Sequence, residues 1–322
     1  MRAFVVTVFF VLAAGVASAF MAAWPATDVA VTLPAAEGSE SDAYFALFKD
    51  SLTSKTGKAV TPRRIPGQAG GDAWAKMADD PPDGSVVTNI LLPNLFLRTY
   101  LQDSGVYPDN MAVCHVGAYS PCVLWVPSAS AFDSVAALTE AARNTSGNFF
   151  MGGAGRYSVA QVAARAFDRQ SGIRTTYVPY ADGIAAAKAA LNRDVTAFWG
   201  YSVPPVSSAP SALTGASFKA LAVAAENRLP AMPDVPTFRE LGIDLVEGVY
   251  LGIAVPKDTS EAYRETISEA FSAIARESAY ISGALAVGLM PLDIRGQELE
   301  TLYGKMREKA AADVEEYSLT EQ

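Results

Sequence analysis

The segment Asn148-Phe149-Phe150-Met151-Gly152-Gly153-Ala154-Gly155-Arg156-Tyr157-Ser158 runs on through Val159 to Gln170. A short apolar run, Asn148 to Met151, breaks into glycines and passes directly into residues of helical period from Ser158 to Gln170, the pattern of strand, tight turn and helix. The same succession recurs on both sides of it. Val29 to Leu33 leads to a helix over Asp42 to Leu52, Val86 to Leu92 forms another strand, and Val123 to Pro127 precedes a helix over Ser134 to Asn144. Thr176 to Val178 then leads to the alanine-rich helix Ile184 to Leu191, with further strands at Ala220 to Ala224 and Gly248 to Val255. From Ser260 to the end the chain reads as helical, and Lys305 to Glu316 as a solvated amphipathic helix. Such alternation predicts an α/β fold in which mixed sheets are flanked by helices. Ligands of open α/β sheets sit beyond the carboxyl ends of strands, where turns expose backbone N–H groups and helix starts, so the turns are where site residues are sought.

The Gly152 to Ser158 turn lacks the third glycine of a dinucleotide fingerprint and lies mid-chain, which makes a cofactor reading weak. Its glycines let the backbone curl into a concavity of N–H donors that suits a carboxylate. The plainer alternative is a tight turn with Ser158 capping the helix, and the sequence leaves both open. No Gly-x-Ser-x-Gly elbow, phosphate-binding loop or paired-histidine zinc motif occurs. His115 is the only histidine, so a multi-histidine metal site or a conventional histidine-based triad has little to build from. The acidic first turn, Glu37, Glu40 and Asp42, has no partner base, and Asp42 reads as a helix-start residue that satisfies backbone donors. No catalytic residue, metal ligand or cofactor is assigned.

Met1 and Arg2 precede an apolar run from Phe4 to Val16 and the small residues Ala17-Ser18-Ala19, a pattern of export with cleavage after Ala19, so residues 1–19 form a signal peptide. Because apolar character persists to Trp24, an uncleaved anchor is the rival reading. The 322 residues are enough for two domains, and a net charge of −9 disfavours nucleic acid as a partner. Cys114 and Cys122 are the only cysteines, and in an oxidising compartment they are a possible disulfide; two buried apolar thiols are the alternative.

Four further motifs, taken in chain order, carry a family resemblance. They are Pro66-Gly67-Gln68-Ala69-Gly70-Gly71 with Pro82-Asp83-Gly84, Val178-Pro179-Tyr180 with Gly183, Asn227-Arg228 through Pro233-Asp234-Val235-Pro236-Thr237 to Glu240-Leu241-Gly242, and Gly252 to Pro256. Together they resemble the substrate-binding proteins of tripartite tricarboxylate transporters, the Bug or TctC family. The resemblance implies a two-lobed type II periplasmic-binding-protein fold, each lobe a mixed sheet flanked by helices. Lobe one would hold residues 28–125, completed by 250–322, and lobe two residues 126–249. It further implies a periplasmic, non-enzymatic receptor that captures a small organic acid or amino-acid-like ligand for the permease subunits of such a transporter. A receptor of the same fold serving a sensor kinase is the alternative, and an exported α/β enzyme a more distant one.

The candidate ligand-binding residues are Glu37, Gly38, Ser39 and Ser41 in the first turn, Asn94 after the third strand, Gly155, Arg156, Tyr157 and Ser158, and Tyr180 and Asp182. Two departures from the family pattern bear on the ligand. Glu37, Ser39 and Glu40 intrude into a turn that is usually glycine-rich, and Gln161 stands where a histidine is common. If Glu37 or Asp182 faces the cleft, a plain di- or tricarboxylate meets repulsion, so amino-acid-like or hydroxylated monocarboxylates are expected to bind better than citrate.

Overall fold

The computed structural model describes residues 24–145, 148–205 and 218–317. The expected cleavage site at Ala17-Ser18-Ala19 lies outside them. In chain order the elements are β1 (Val29–Leu33), α1 (Glu40–Thr56), β2 (Val60–Arg64), α2 (Gly71–Lys76), β3 (Val86–Leu92), α3 (Asn94–Leu97), β4 (Met111–Pro127) and α4 (Val135–Arg143). They continue with β5 (Phe150–Ala154), α5 (Val159–Ser171), β6 (Thr176–Tyr180), α6 (Gly183–Asn192), β7 (Ala197–Tyr201), β8 (Phe218–Val223), β9 (Gly248–Pro256), α7 (Glu261–Ala275), α8 (Ser278–Val287), β10 (Met290–Ile294) and α9 (Gly296–Glu316). The carboxyl-terminal region is thus not wholly helical. Met290 and Pro291 pair antiparallel with Tyr119 and Ala118 of β4, because Gly288 ends α8 in a left-handed turn and sends the chain back to the sheet.

Two mixed sheets share β4. One runs β2-β1-β3-β9-β4 and the other β4-β7-β5-β6, with β10 and β8 also paired to β4. β1 is parallel to β2 and β3, and β5 to β6 and β7, whereas β9 is antiparallel to β3 and β4. The change of partner is abrupt. Met111 to Pro121 pair with β9, and from Cys122 onward the strand pairs with β7 and β8. β4 therefore passes from one lobe into the other as a single strand of 17 residues.

That geometry rules out a Cys114–Cys122 bridge. Eight residues along an extended strand place the two Cα atoms about 25 Å apart, whereas a disulfide needs roughly 4.4–6.8 Å. Both cysteines are free and buried, and burial pushes the Cys114 thiol up to about 12. Alkylation of the denatured, unreduced protein followed by intact-mass measurement is expected to show two adducts; none would mean that β4 does not run through both lobes.

Each lobe is built by pattern. In lobe one, Ser39 caps α1 by accepting the Asp42 N–H at 3.3 Å, and Gly57 ends it in a left-handed conformation. Tyr44, Phe45, Phe48 and Leu52 recur at helical spacing and are buried, and the Phe48 ring meets Phe271 of α7 edge-on at 4.9 Å. Each such side chain contributes about 1.5–3 kcal/mol through burial. In lobe two the sheet is covered on both faces. Along β4, Cys122, Leu124 and Val126 face one apolar cluster with Phe167 and Trp199, while Val123 and Trp125 face a second with Ile184, Ala186, Ala187 and Ala190 of α6.

Candidate functional site

The carboxyl ends of the parallel strands in the two lobes face one another across a cleft. Lobe one presents the β1–α1 turn, the segment Gly67 to Gly70, and Asn94 at the start of α3. Lobe two presents the β5–α5 turn, the β6–α6 turn, and the end of β7.

In the Gly155 to Ser158 turn, the Gly155 and Tyr157 N–H groups and the Ser158 hydroxyl are engaged within the protein. Gly155 N–H bonds the Tyr180 carbonyl at 2.7 Å, Tyr157 N–H bonds Gln161 Oε1 at 2.7 Å, and Ser158 Oγ donates to the Gly155 carbonyl at 3.1 Å while accepting the Gln161 N–H at 3.3 Å. Ser158 is therefore the cap of α5, as the plainer reading had it. Val159 N–H is taken by Asn94 Oδ1 from the opposite lobe at 2.7 Å, and Asn94 Nδ2 donates to the Tyr201 hydroxyl at 3.1 Å. Gly155 has φ +58°, and a Cβ there would lie 2.7 Å from the Cβ of Ala69 across the cleft, so only glycine admits this approach.

Further direct bonds cross between the lobes. Ala36 N–H reaches Asp182 Oδ2 at 3.2 Å, Ala69 N–H reaches the Ala181 carbonyl at 3.3 Å, and Arg98 Nη1 donates to the Arg156 carbonyl at 2.5 Å. Asp182 also caps α6 through Ala185 N–H at 2.9 Å, so both its oxygens are engaged by backbone. Arg98 lies almost wholly buried and also bonds Gln68 Oε1; burial lowers its pKa and the charge of Asp72 opposes that.

The acidic first turn divides in two. Glu37 and Arg156 are exposed, and the Tyr180 ring packs on Gly152 of β5. Gly38 N–H bonds Asp42 Oδ2 at 3.3 Å, and Asp42 is ion-paired with Arg64, the helix-start role the sequence suggests. Ser41 Oγ is buried and has no hydrogen-bond partner among the described residues. Glu40 is only 9% exposed and lines a cavity of about 20 Å³ with Gly38, Ser39, Trp125, Gly183, Ile184, Phe198, Gly200, Tyr201, Val203 and Pro205. Burial, with the Asp182 charge adding to it, pushes the Glu40 carboxyl up to about 7 against the pull of its own backbone N–H. Burial likewise raises the Tyr201 hydroxyl well above its ordinary value.

Of the residues around the cleft, the sequence reading had not singled out Glu40 as a cavity residue, nor Arg98, Trp125, Phe198 or Tyr201. Arg98 alone left a signal, as a single cation ending the apolar run Asn94-Leu95-Phe96-Leu97.

A family model described as the tripartite tricarboxylate transporter family receptor matches residues 47–319. The chain belongs to this family. Among curated relatives, this family receptor is 24% identical over 278 residues, 84% of its length and 77% of the other's, to the UPF0065 protein in the TAR-I ttuE-ttuC' intergenic region of Agrobacterium vitis. It is 21% identical over 310 residues, 96% and 93% of the two chains, to the UPF0065 protein in the gbd 5' region of Cupriavidus necator. Among solved structures the receptor resembles the periplasmic binding protein BugD, with a TM-score of 0.81 at 17% identity over 92% of this chain and 99% of that one. MatC from Rhodopseudomonas palustris with bound malate follows at TM-score 0.77 and 22% identity, over 90% and 100%. An R. palustris protein with adipate gives 0.81 and 20%, over 92% and 98%. These likenesses carry the two-lobed receptor fold. No helix among the described residues is long and apolar enough to cross a membrane.

Proposed function

We propose that this receptor is exported and captures a small carboxylate-bearing organic solute between its lobes, without chemistry on it, for the membrane subunits of a tripartite tricarboxylate transporter. The supporting observation is the cavity at which the first turns of α1 and α6 meet. Among the described residues, the N–H groups of Gly183 and Ile184 at the start of α6 have no partner, and they line that cavity at the positive end of a helix dipole. The malate and adipate of the solved relatives are anions of the kind such donors suit. The solute would sit between Glu40, Ser39 and Ser41 on one side and the start of α6 on the other, rather than in the Gly155 to Ser158 turn. That turn and Asn94, Arg98 and Asp182 would instead hold the lobes together.

The strand pairing supports a lobe boundary at Pro121 and Cys122, with residues 28–121 and 248–317 in lobe one and 122–247 in lobe two. A cavity of about 20 Å³ has room for about one water molecule, so a solute of several heavy atoms requires the two turns to part and close again over it. A thermal-shift panel of mono-, di- and amino-carboxylates tests the reading. A ligand that binds only the folded state raises its stability with the logarithm of concentration above the dissociation constant, and a panel without any shift would count against solute capture. Export adds a second test: Edman sequencing of the protein recovered from its native envelope is expected to start at Phe20, and a start at Met1 in the membrane fraction would refute cleavage after Ala19.

A further inference from the structure

We propose that Glu40 is the specificity residue of the cleft and that the solute is a short amino-carboxylate, held by its carboxylate on the first turn of α6 and by its ammonium on the Glu40 carboxyl. This rests on the reading of the cleft as a solute site. Glu40 is about nine-tenths buried, lines the cavity, and among the described residues makes no hydrogen bond or ion pair with another side chain. The charged and titratable groups that bear on it are Asp182 at the head of α6, Tyr201 on β7 and Cys122 on β4, and none is a cation. A carboxyl buried without a counterion is destabilising unless something supplies the charge or the proton.

A dicarboxylate would bring a second anion to a cavity that Glu40 lines and the Asp182 charge reaches, and that no lysine or arginine lines among the described residues. An ammonium would be the missing counterion. The walls agree with that chemistry: Trp125, Phe198 and Tyr201 present aromatic surface around the carboxyl, and such surfaces favour cations over anions. In the same cavity, the N–H groups of Gly183 and Ile184, which have no partner among the described residues, suit the carboxylate end. The Ala36 N–H of the β1–α1 turn lies 3.2 Å from Asp182 Oδ2 at the head of α6, so a short solute parts the two turns least.

The proton on Glu40 gives a signature that needs no variant. With its carboxyl pushed up to about 7, Glu40 is part-protonated at pH 7; an ammonium drives it to ionise and release a proton, whereas an added anion drives it to take one up. Titration calorimetry at pH 7 in two buffers of different ionisation enthalpy, with β-alanine and 4-aminobutyrate set against malonate and succinate, reads both affinity and proton count. The amino acids are expected to bind at least tenfold tighter than the dicarboxylates, with release of a fraction of a proton. Glu40→Gln is expected to abolish that release and to weaken amino-acid binding at least tenfold, while malonate and succinate bind no worse. Tighter binding of the dicarboxylates with proton uptake, or unchanged affinities in Glu40→Gln, would overturn the assignment of Glu40 and leave the cleft as a carboxylate site. Binding of neither series would overturn the assignment, and a silent thermal-shift panel besides would remove the solute reading itself.

Discussion

Lys309→Met is expected to lower the unfolding free energy by about 3–5 kcal/mol, the cost typical of leaving a buried ion cluster without its cation. Lys309 projects from α9 and donates to Glu247 at 2.8 Å and to both oxygens of Asp313 at 2.9 and 2.7 Å. Glu247 is 8% and Asp313 6% exposed. Two carboxylates thus share one ammonium. Burial first, then the repulsion of Asp313, pushes Glu247 up to about 7 despite the ammonium. Burial alone would lower Lys309, but the two carboxylates outweigh it and hold the ammonium charged. Removing Lys309 strands both acids where the chain passes between lobes, since the Glu247 carbonyl accepts the Cys122 N–H at 2.7 Å and Glu247 N–H bonds the Ala224 carbonyl at 3.0 Å. Urea titration of wild type and variant measures the loss at pH 8. At pH 5 the loss should shrink, because carboxyls with raised folded-state pKa values take up protons and no longer need the cation. A loss of equal size at both pH values would show that Lys309 acts through the packing of its stem alone.

The elements legible in the sequence were those with a buried stripe or a two-sided strand. β1, β3 and the middle of α1 follow from Val29 to Leu33, Val86 to Leu92 and Asp42 to Leu52, where the apolar period is plain, while the Ser39 cap and the Gly57 end come from the structure. β2 carries Pro62, Arg63 and Arg64 and is largely exposed, an edge strand whose pairing with β1 supplies the information its side chains lack. β10 has only half-buried residues for the same reason. The length of β4 is hard to see in the sequence because Gly117 and Pro121, residues that favour turns, interrupt it between the two cysteines. Gly117 is in fact required where the Tyr44 and Tyr280 hydroxyls press on the strand, since a Cβ there would lie 2.5 and 2.8 Å from them. The family motifs gave the fold but not the occupancy of the cleft. The Gly155 and Tyr157 N–H groups are spent on Tyr180 and Gln161, and the Val159 N–H that follows is taken by Asn94 from the other lobe, a contact 65 residues away in sequence. The acidic first turn was legible as an oddity, but a shift of three residues along it decides between exposed Glu37 and buried Glu40, and no local pattern separates them.

Glu40→Gln is expected to stabilise the ligand-free protein by about 2–3 kcal/mol at pH 8 and to leave it nearly unchanged at pH 4.5. Glu40 has a folded-state value of about 7 against an ordinary 4.5. A carboxyl whose value is raised on folding contributes its stability fully below 4.5 and loses it as pH rises through 7, after which the deficit is constant. A rise of this size corresponds to about 3 kcal/mol at about 1.4 kcal/mol for each factor of ten in acidity, and the glutamine amide, which brings two donors of its own into the cavity, offsets part of the gain. Chemical denaturation of both proteins from pH 4.5 to 8 should therefore show curves that coincide at the acid end, separate through pH 5 to 7 and run parallel above. A separation that does not depend on pH would mean that the Glu40 carboxyl ionises alike in the folded and unfolded chains, so that burial does not raise it and the side chain matters by shape. The gain in stability and the loss of amino-acid affinity belong to one substitution because they have one cause: a buried carboxylate without a counterion is costly to the free receptor and is relieved when a solute brings the ammonium.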